Sequence, residues 1–163
     1  MLPIIKWSGG KRDEIKQFEA LIPPHQQYIE PFVGGGALFF HLNPARAVIA
    51  DVHPDLIALY KTIGAQGTDV LSEFMAAHPN TEEVYYRVRD EMVPTNDVER
   101  ACKFYYERKT CYRGMLRYNK SGKFNIPFGR YKTVATSELD DPRYEELLKR
   151  TTVLCAGFED IFR

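Results

Sequence analysis

An α/β fold, carried on a parallel sheet and broken by a helical insertion, is predicted by three features of this 163-residue sequence. A short strand runs through a glycine turn into a helix. An apolar strand ending in a carboxylate comes next. Helices then take over from about residue 68, and strand character returns only near residues 152–156.

Each element has a local reason. Residues 12–21 put Ile15, Phe18 and Leu21 on one helical stripe, which Pro23-Pro24 ends. Gln27–Glu30 reads as a strand, Gly34-Gly35-Gly36 as the turn, and a helix starts near Ala37. Ala47–Asp51 is a buried-strand run, and Asp55–Ile63 is helical. Helical periodicity then covers Val70–Ala77, Glu82–Met92 and Asp97–Tyr112. Arg117–Lys132, rich in Gly, Asn and Lys and interrupted by Pro127, reads as an exposed hairpin or ordered loop. Pro142–Arg150 is helical, Thr152–Ala156 a strand, and Phe158–Phe162 starts a last element. Residues 1–66 and 134–163 thus form the sheet-bearing domain, and 67–133 the insertion. About three strands are predicted, fewer than the ~5–6 of a typical sheet.

At 44% hydrophobic residues the chain is expected to pack as a globule, and no apolar run approaches the ~18 residues that cross a membrane. The first residues lack the layout of a signal peptide. Cys102, Cys111 and Cys155 have no metal-ligand spacing and read as reduced, mostly buried thiols of a cytoplasmic protein. The net charge of zero hides a segregation. Arg100–Lys132 holds ten Lys or Arg against the single acid Glu107, a charge of +9, and the remaining 12 basic and 21 acidic residues carry −9. The same segment holds eight aromatics: Phe104, Tyr105, Tyr106, Tyr112, Tyr118, Phe124, Phe128 and Tyr131. Cations for phosphates and rings for bases point to a nucleic acid.

Glu30-Pro31-Phe32-Val33-Gly34-Gly35-Gly36 lets backbone approach a ligand closely. Phe39 breaks a G-x-G-x-x-G pattern and no Gly-Lys-Ser/Thr follows, so NAD and ATP are disfavoured. Asp51, at the tip of the next strand, stands where such folds place a carboxylate for ribose hydroxyls, or it caps the following helix.

Three motifs occur in the order of one family. Lys6-Trp7-Ser8-Gly9-Gly10-Lys11, the glycine loop, and Ala50-Asp51-Val52-His53-Pro54-Asp55-Leu56-Ile57 resemble the Dam-type, D12 class (class α) adenine-specific DNA methyltransferases. The resemblance implies a Rossmann-like, S-adenosylmethionine-dependent methyltransferase sheet with a target-recognition insertion. It implies that Trp7 and Lys11 line the methionine end of S-adenosylmethionine, that Phe32 and Gly34 pack along it, and that Asp51 holds the ribose. It also implies a bacterial or phage enzyme, nucleoid-associated, as in DNA adenine methylation or restriction-modification.

Residues 110–131 resemble the recognition hairpin of family members that methylate adenine in GATC. By that resemblance Arg117 reads guanine, where one arginine bonds O6 and N7 together. Tyr112 inserts into the base stack beside the displaced adenine, Asn119 and Asn125 contact phosphate, Pro127 touches a base methyl, and Arg130 faces DNA. Arg113 departs from the polar amide that the family carries there.

The family's catalytic Asp-Pro-Pro-Tyr does not occur in the sequence. Asp141-Pro142-Arg143-Tyr144 is a near match, but its polar approach, Ser137-Glu138-Leu139-Asp140, is no buried strand, and Asp141 and Pro142 read as the start of a helix. Gly157-Phe158 stands where the family has Asp-Phe, so a contact to the cofactor's adenine is expected to be missing. The chain is read as the N-terminal two-thirds of such an enzyme, reaching Arg163 about where the catalytic strand would begin. Alone it is expected to be inactive. A complementing polypeptide, a self-dimer that covers an open sheet edge, or a non-catalytic module competing for GATC-like duplex sites are its implied contexts.

Overall fold

The computed structural model describes residues 1–10 and 14–162. Lys11 therefore lies outside the described residues, as do Arg12 and Asp13 of the first predicted helix. The elements follow in order: α1 (Ile15–Phe18) with a 3₁₀ turn to Leu21, β1 (Tyr28–Glu30), α2 (Ala37–Leu42), β2 (Ala47–Asp51) and α3 (Pro54–Gln66). Then come α4 (Asp69–Ala77), α5 (Glu82–Asp90) and α6 (Asp97–Thr110). Short 3₁₀ turns at Tyr112–Gly114 and Ser137–Asp140 follow, with α7 (Arg143–Lys149), β3 (Thr151–Cys155) and α8 (Phe158–Ile161). This is an α/β architecture with three parallel strands among the described residues, in the order β1-β2-β3. It fits an incomplete Rossmann-like methyltransferase sheet.

Register is set by the central strand. Tyr28 pairs with Ala47 on one side of β2, and Thr151 pairs with Ala47 on the other. β2 buries Ala47, Ile49 and Ala50, whereas β3, on an edge, is only half covered and leaves Cys155 exposed. That corrects the expectation for one of the three thiols; Cys102 and Cys111 are buried.

Three helices, α3, α5 and α6, start where a side chain satisfies a free N–H group. The His53 ring accepts from the Leu56 N–H ahead of Pro54 in α3, Thr81 accepts from the Val84 N–H at α5, and Asn96 from the Glu99 N–H at α6. Asp51 is not the cap of α3; it accepts instead from the His53 N–H.

α3 is the spine, packed against β2, β3, α6 and α7. Its Leu56, Leu59, Tyr60 and Ile63 are buried in one core with Phe39, Phe40, Ile49, Phe104, Tyr105, Tyr144 and Leu147. A second cluster of Val84, Tyr85, Val88, Tyr106, Cys111 and Ile126 sits where α5 and α6 meet the basic segment. That segment is an irregular hairpin. It has isolated bridges Cys111–Phe128 and Tyr118–Phe124, and the Ile126 carbonyl accepts from Tyr85 Oη and Arg89 Nη1. Phe104, Tyr105 and Tyr106 are thus core residues. Of the segment's eight aromatics, Tyr112, Tyr118 and Tyr131 are the exposed ones.

One buried acid opposes this packing. Glu107 is 4% exposed, and its Oε1 has no hydrogen-bond partner among the described residues. Burial raises its carboxyl to about 8, and the Lys103 ammonium 3.9 Å away opposes that only in part. The folded state therefore holds this proton more tightly than the unfolded chain does. The resulting stability is complete below the ordinary carboxylate range and is lost as pH rises through about 8. Glu107→Gln should keep its melting temperature from about pH 5 up to about pH 8 better than the parent chain, by several degrees in thermal denaturation.

Candidate functional site

The glycine loop and the end of β2 are tied together by one carboxylate. Asp51 Oδ2 accepts from the Gly34 N–H at 3.0 Å, and Oδ1 accepts from the His53 N–H at 3.0 Å. Each oxygen keeps a lone pair for a further donor. Tyr60, fully buried, donates its hydroxyl to the Gly34 carbonyl at 2.7 Å and fixes the loop from below. Gly34 and Gly36 have φ of 48° and 69°, the left-handed region that glycine adopts freely.

Trp7 lies on this loop. A Cβ on Gly34 would stand 2.7 Å from its Cδ1 and 2.8 Å from its Nε1, and one on Gly35 would stand 2.8 Å from its Cβ. The three residues are thus matched: only glycines leave room for the indole. The Arg108 guanidinium sits 5.8 Å from the centre of the Trp7 ring and donates to the Lys6 carbonyl. Arg108 is buried, and its Nε and Nη1 have no partner among the described residues.

Phe32 stands apart from this cluster, 69% exposed, its ring 5.7 Å from that of Phe158, itself half exposed. Val52, which follows β2, is likewise exposed. A cavity of about 620 Å³ is lined by Trp7, Gly10, Gly35 and Ala37 together with Lys109, Asp141 and Tyr144. Asp51, Phe32 and Gly34 do not line it. Trp7, Gly34 and Asp51 are brought together; Phe32 borders them on the exposed side. Glu30, at the base of the loop, accepts from Tyr28 Oη at 2.7 Å, and burial raises its carboxyl to about 7.

The near match Asp141–Tyr144 begins a helix instead of ending a strand. Asp141 is engaged by the Arg143 guanidinium at 2.6 Å, and the buried Tyr144 donates to the Leu2 carbonyl. Both border the cavity beside Trp7, Asp141 held by its own neighbour Arg143 and Tyr144 by the N-terminal segment.

The basic hairpin arranges its polar groups before any ligand arrives. Arg117 is exposed and donates from Nε to Asn125 Oδ1 at 2.8 Å and from Nη2 to the Asn125 carbonyl, which aims its guanidinium. Asn119 Oδ1 accepts from the Ser121 N–H, Ser121 Oγ and the Lys123 N–H, shaping the hairpin turn. Pro127 is exposed, and its carbonyl accepts from the Tyr112 N–H, which sets Tyr112 at the surface, 48% exposed. Arg113 has φ of 57° and places its guanidinium 5.9 Å from the Tyr112 ring. Arg130 pairs with Glu82 at 2.9 Å, an exposed pair worth little in water.

His53 is the residue that sequence reasoning passed over. Its ring meets Trp7 edge-on at 5.6 Å and Tyr118 at 5.6 Å, and its Nε2 lies 2.9 Å from Tyr118 Oη. Its position beside Asp51 in the third motif was the available signal, but its reach to the hairpin spans 65 residues of sequence.

Among the described residues no group of three or more His, Cys, Asp or Glu is placed to hold a metal, and no helix is long and apolar enough to cross a membrane. The family model for D12 class N6 adenine-specific DNA methyltransferases matches residues 7–163. The chain is 48% identical to the type II methyltransferase M.CviBI of Paramecium bursaria Chlorella virus NC1A, over 99% of this chain and 63% of the relative. It is 34% identical to the type II methyltransferase M.MjaIII of Methanocaldococcus jannaschii, over 96% of this chain and 62% of the relative. With the DNA adenine methylase of Escherichia coli K12 it shares 32% identity, over 96% and 58% of the two lengths. The chain thus spans about three-fifths of the length of the curated relatives it matches.

Gly34→Ala should cost ~1–3 kcal/mol through its left-handed backbone and should displace the indole it touches, red-shifting emission from the sole tryptophan. Gly122→Ala, at φ of 75° with nothing within 4 Å, should leave that emission unchanged.

Proposed function

The chain belongs to the D12 class N6 adenine-specific DNA methyltransferase family, and from that membership we propose that it is the cofactor-binding and target-reading part of an adenine methyltransferase. Its ligands in this reading are S-adenosylmethionine and double-stranded DNA with a GATC-like site. The observation that carries the proposal is the Trp7–Gly34–Asp51 cluster. A backbone cradle that any Cβ would fill, next to a carboxylate with lone pairs to spare, fits a nucleoside with an extended tail.

In this reading Asp51 accepts from the ribose hydroxyls, Trp7 and Gly34 flank the sulfonium and methionine end, and Phe32 with Phe158 offers faces to the adenine ring. Lys11 is assigned to the methionine end on family grounds. The cofactor supplies an electrophilic methyl group when bound; the residues here bind and orient it. Residues 67–133 are the DNA-reading unit. Arg117 reads guanine, and Tyr112 wedges where a base leaves the stack. The amides of Asn119 and Asn125 donate to phosphate, as does Arg130 once released from Glu82, and Pro127 meets a base methyl. Transfer further needs acceptors for the adenine amine, for which the sequence holds no Asp-Pro-Pro-Tyr. We place that motif on a segment adding to the free edge of β1, beside the glycine loop, where Ile29 is 43% exposed. The DNA-bound enzyme would work in the cytoplasm.

Arg117→Ala should reduce preference for a GATC duplex over a scrambled one by ~1–3 kcal/mol, about fivefold or more in a fluorescence-anisotropy competition. Equal affinity of the parent chain for both duplexes would overturn the reading. Asp51→Asn leaves one of two backbone N–H groups facing an amide NH₂ and should weaken S-adenosylmethionine binding at least tenfold by calorimetry. With labelled cofactor, the chain alone should transfer no methyl to the GATC duplex, and a polypeptide carrying Asp-Pro-Pro-Tyr should restore transfer.

A further inference from the structure

We infer that His53 is a positioning residue that joins the cofactor cluster to the DNA-reading hairpin, so that each ligand tightens the binding of the other. This rests on the function proposed above.

Four contacts of one residue carry it. The His53 N–H holds Asp51 Oδ1 at 3.0 Å, on the carboxylate assigned to ribose. The ring packs T-shaped against Trp7 at an interplanar angle of 83°. Nδ1 accepts from the Leu56 N–H at 3.3 Å. A neutral ring must then carry its proton on Nε2 and donate it to Tyr118 Oη at 2.9 Å. Tyr118 in turn donates to Asp55 Oδ2 at 3.3 Å. Burial lowers the ring's affinity for a second proton, against the pull of Asp55 and Asp51 and with the help of Arg108, which keeps this directed chain intact at neutral pH. Tyr118 adjoins Arg117 and bridges Phe124 across the hairpin. The ring bonded to Tyr118 is therefore the same ring that borders Trp7. A shift of the hairpin onto a duplex moves a side chain that also sets the cofactor cluster, and linkage makes that influence mutual.

The test measures S-adenosylmethionine and GATC-duplex affinities, each with and without the other at saturation. In the parent chain each should tighten the other by the same factor, about fivefold or more. His53→Asn keeps an oxygen to cap α3 but cannot reach Tyr118; its factor should fall to about one while both ligands still bind. His53→Gln gives up the cap, and so melts lower, but its amide N–H reaches toward Tyr118 and should retain the factor. Tyr118→Phe should lose it. A factor of one in the parent chain, an unchanged factor in His53→Asn, or coupling that tracks melting temperature across the variants would overturn the inference. A ligand-free arm separates it from the proposed function: Tyr118→Phe should shift emission and near-ultraviolet dichroism of Trp7, the sole tryptophan. An unchanged Trp7 signal overturns the link whatever the ligands do. A shifted signal with no saturable binding of either ligand supports the link and overturns the proposed function.

Discussion

The Asp51 carboxylate is the constraint on which the rest of the site depends. It ties the loop after β1 to the loop after β2 by accepting from Gly34 and His53 at once. Two parallel strands fix only where their ends emerge; the loops beyond them have no ladder to hold them. A charged acceptor shared by two backbone donors supplies what the sheet does not, and such bonds are roughly twice as strong as neutral ones. Tyr60 completes the brace from inside α3. The glycine loop is thus held from two sides, and Trp7 has one shape to fit against.

The same economy governs the basic segment. Long side chains at a surface are mobile, and ordering them on contact with a ligand costs entropy. Here Arg117 is already braced by Asn125, and Asn119 closes its turn before any contact is made. The buried parts of the segment, Ile126 and Cys111, hang it on Tyr85 and Tyr106 of the helical cluster. A loop with two isolated bridges is therefore ordered by what lies beneath it.

Much of this was legible in the amino-acid order. β2 was read to the residue, because Ala47–Asp51 is apolar, short and bounded by polar turns. The helical pattern also marks the starts of α5 and α6, which the structure caps with Thr81 and Asn96. What escaped has a common cause: long-range contacts leave no local trace. Nothing in the charge count distinguishes Glu107 and Arg108, which are buried, from the solvated cations around them. The aromatics of α6 looked like stacking faces but serve the core, because helical spacing turns Phe104 and Tyr105 toward α3. The cap of α3 fell to His53 instead of Asp51, a choice decided by the Gly34 amide that already claims the carboxylate.

The sheet order carries a consequence for how the chain reaches this state. Ala47 must wait for Thr151, about a hundred residues later, before the central strand has both neighbours. On a ribosome, β1, β2 and α3 would emerge first with one side of β2 unpaired. The helices between could meanwhile close on α3 through Phe104 and Tyr105. α6 thus covers one flank of the apolar spine, and α7 and β3, which come last in the chain, cover the rest.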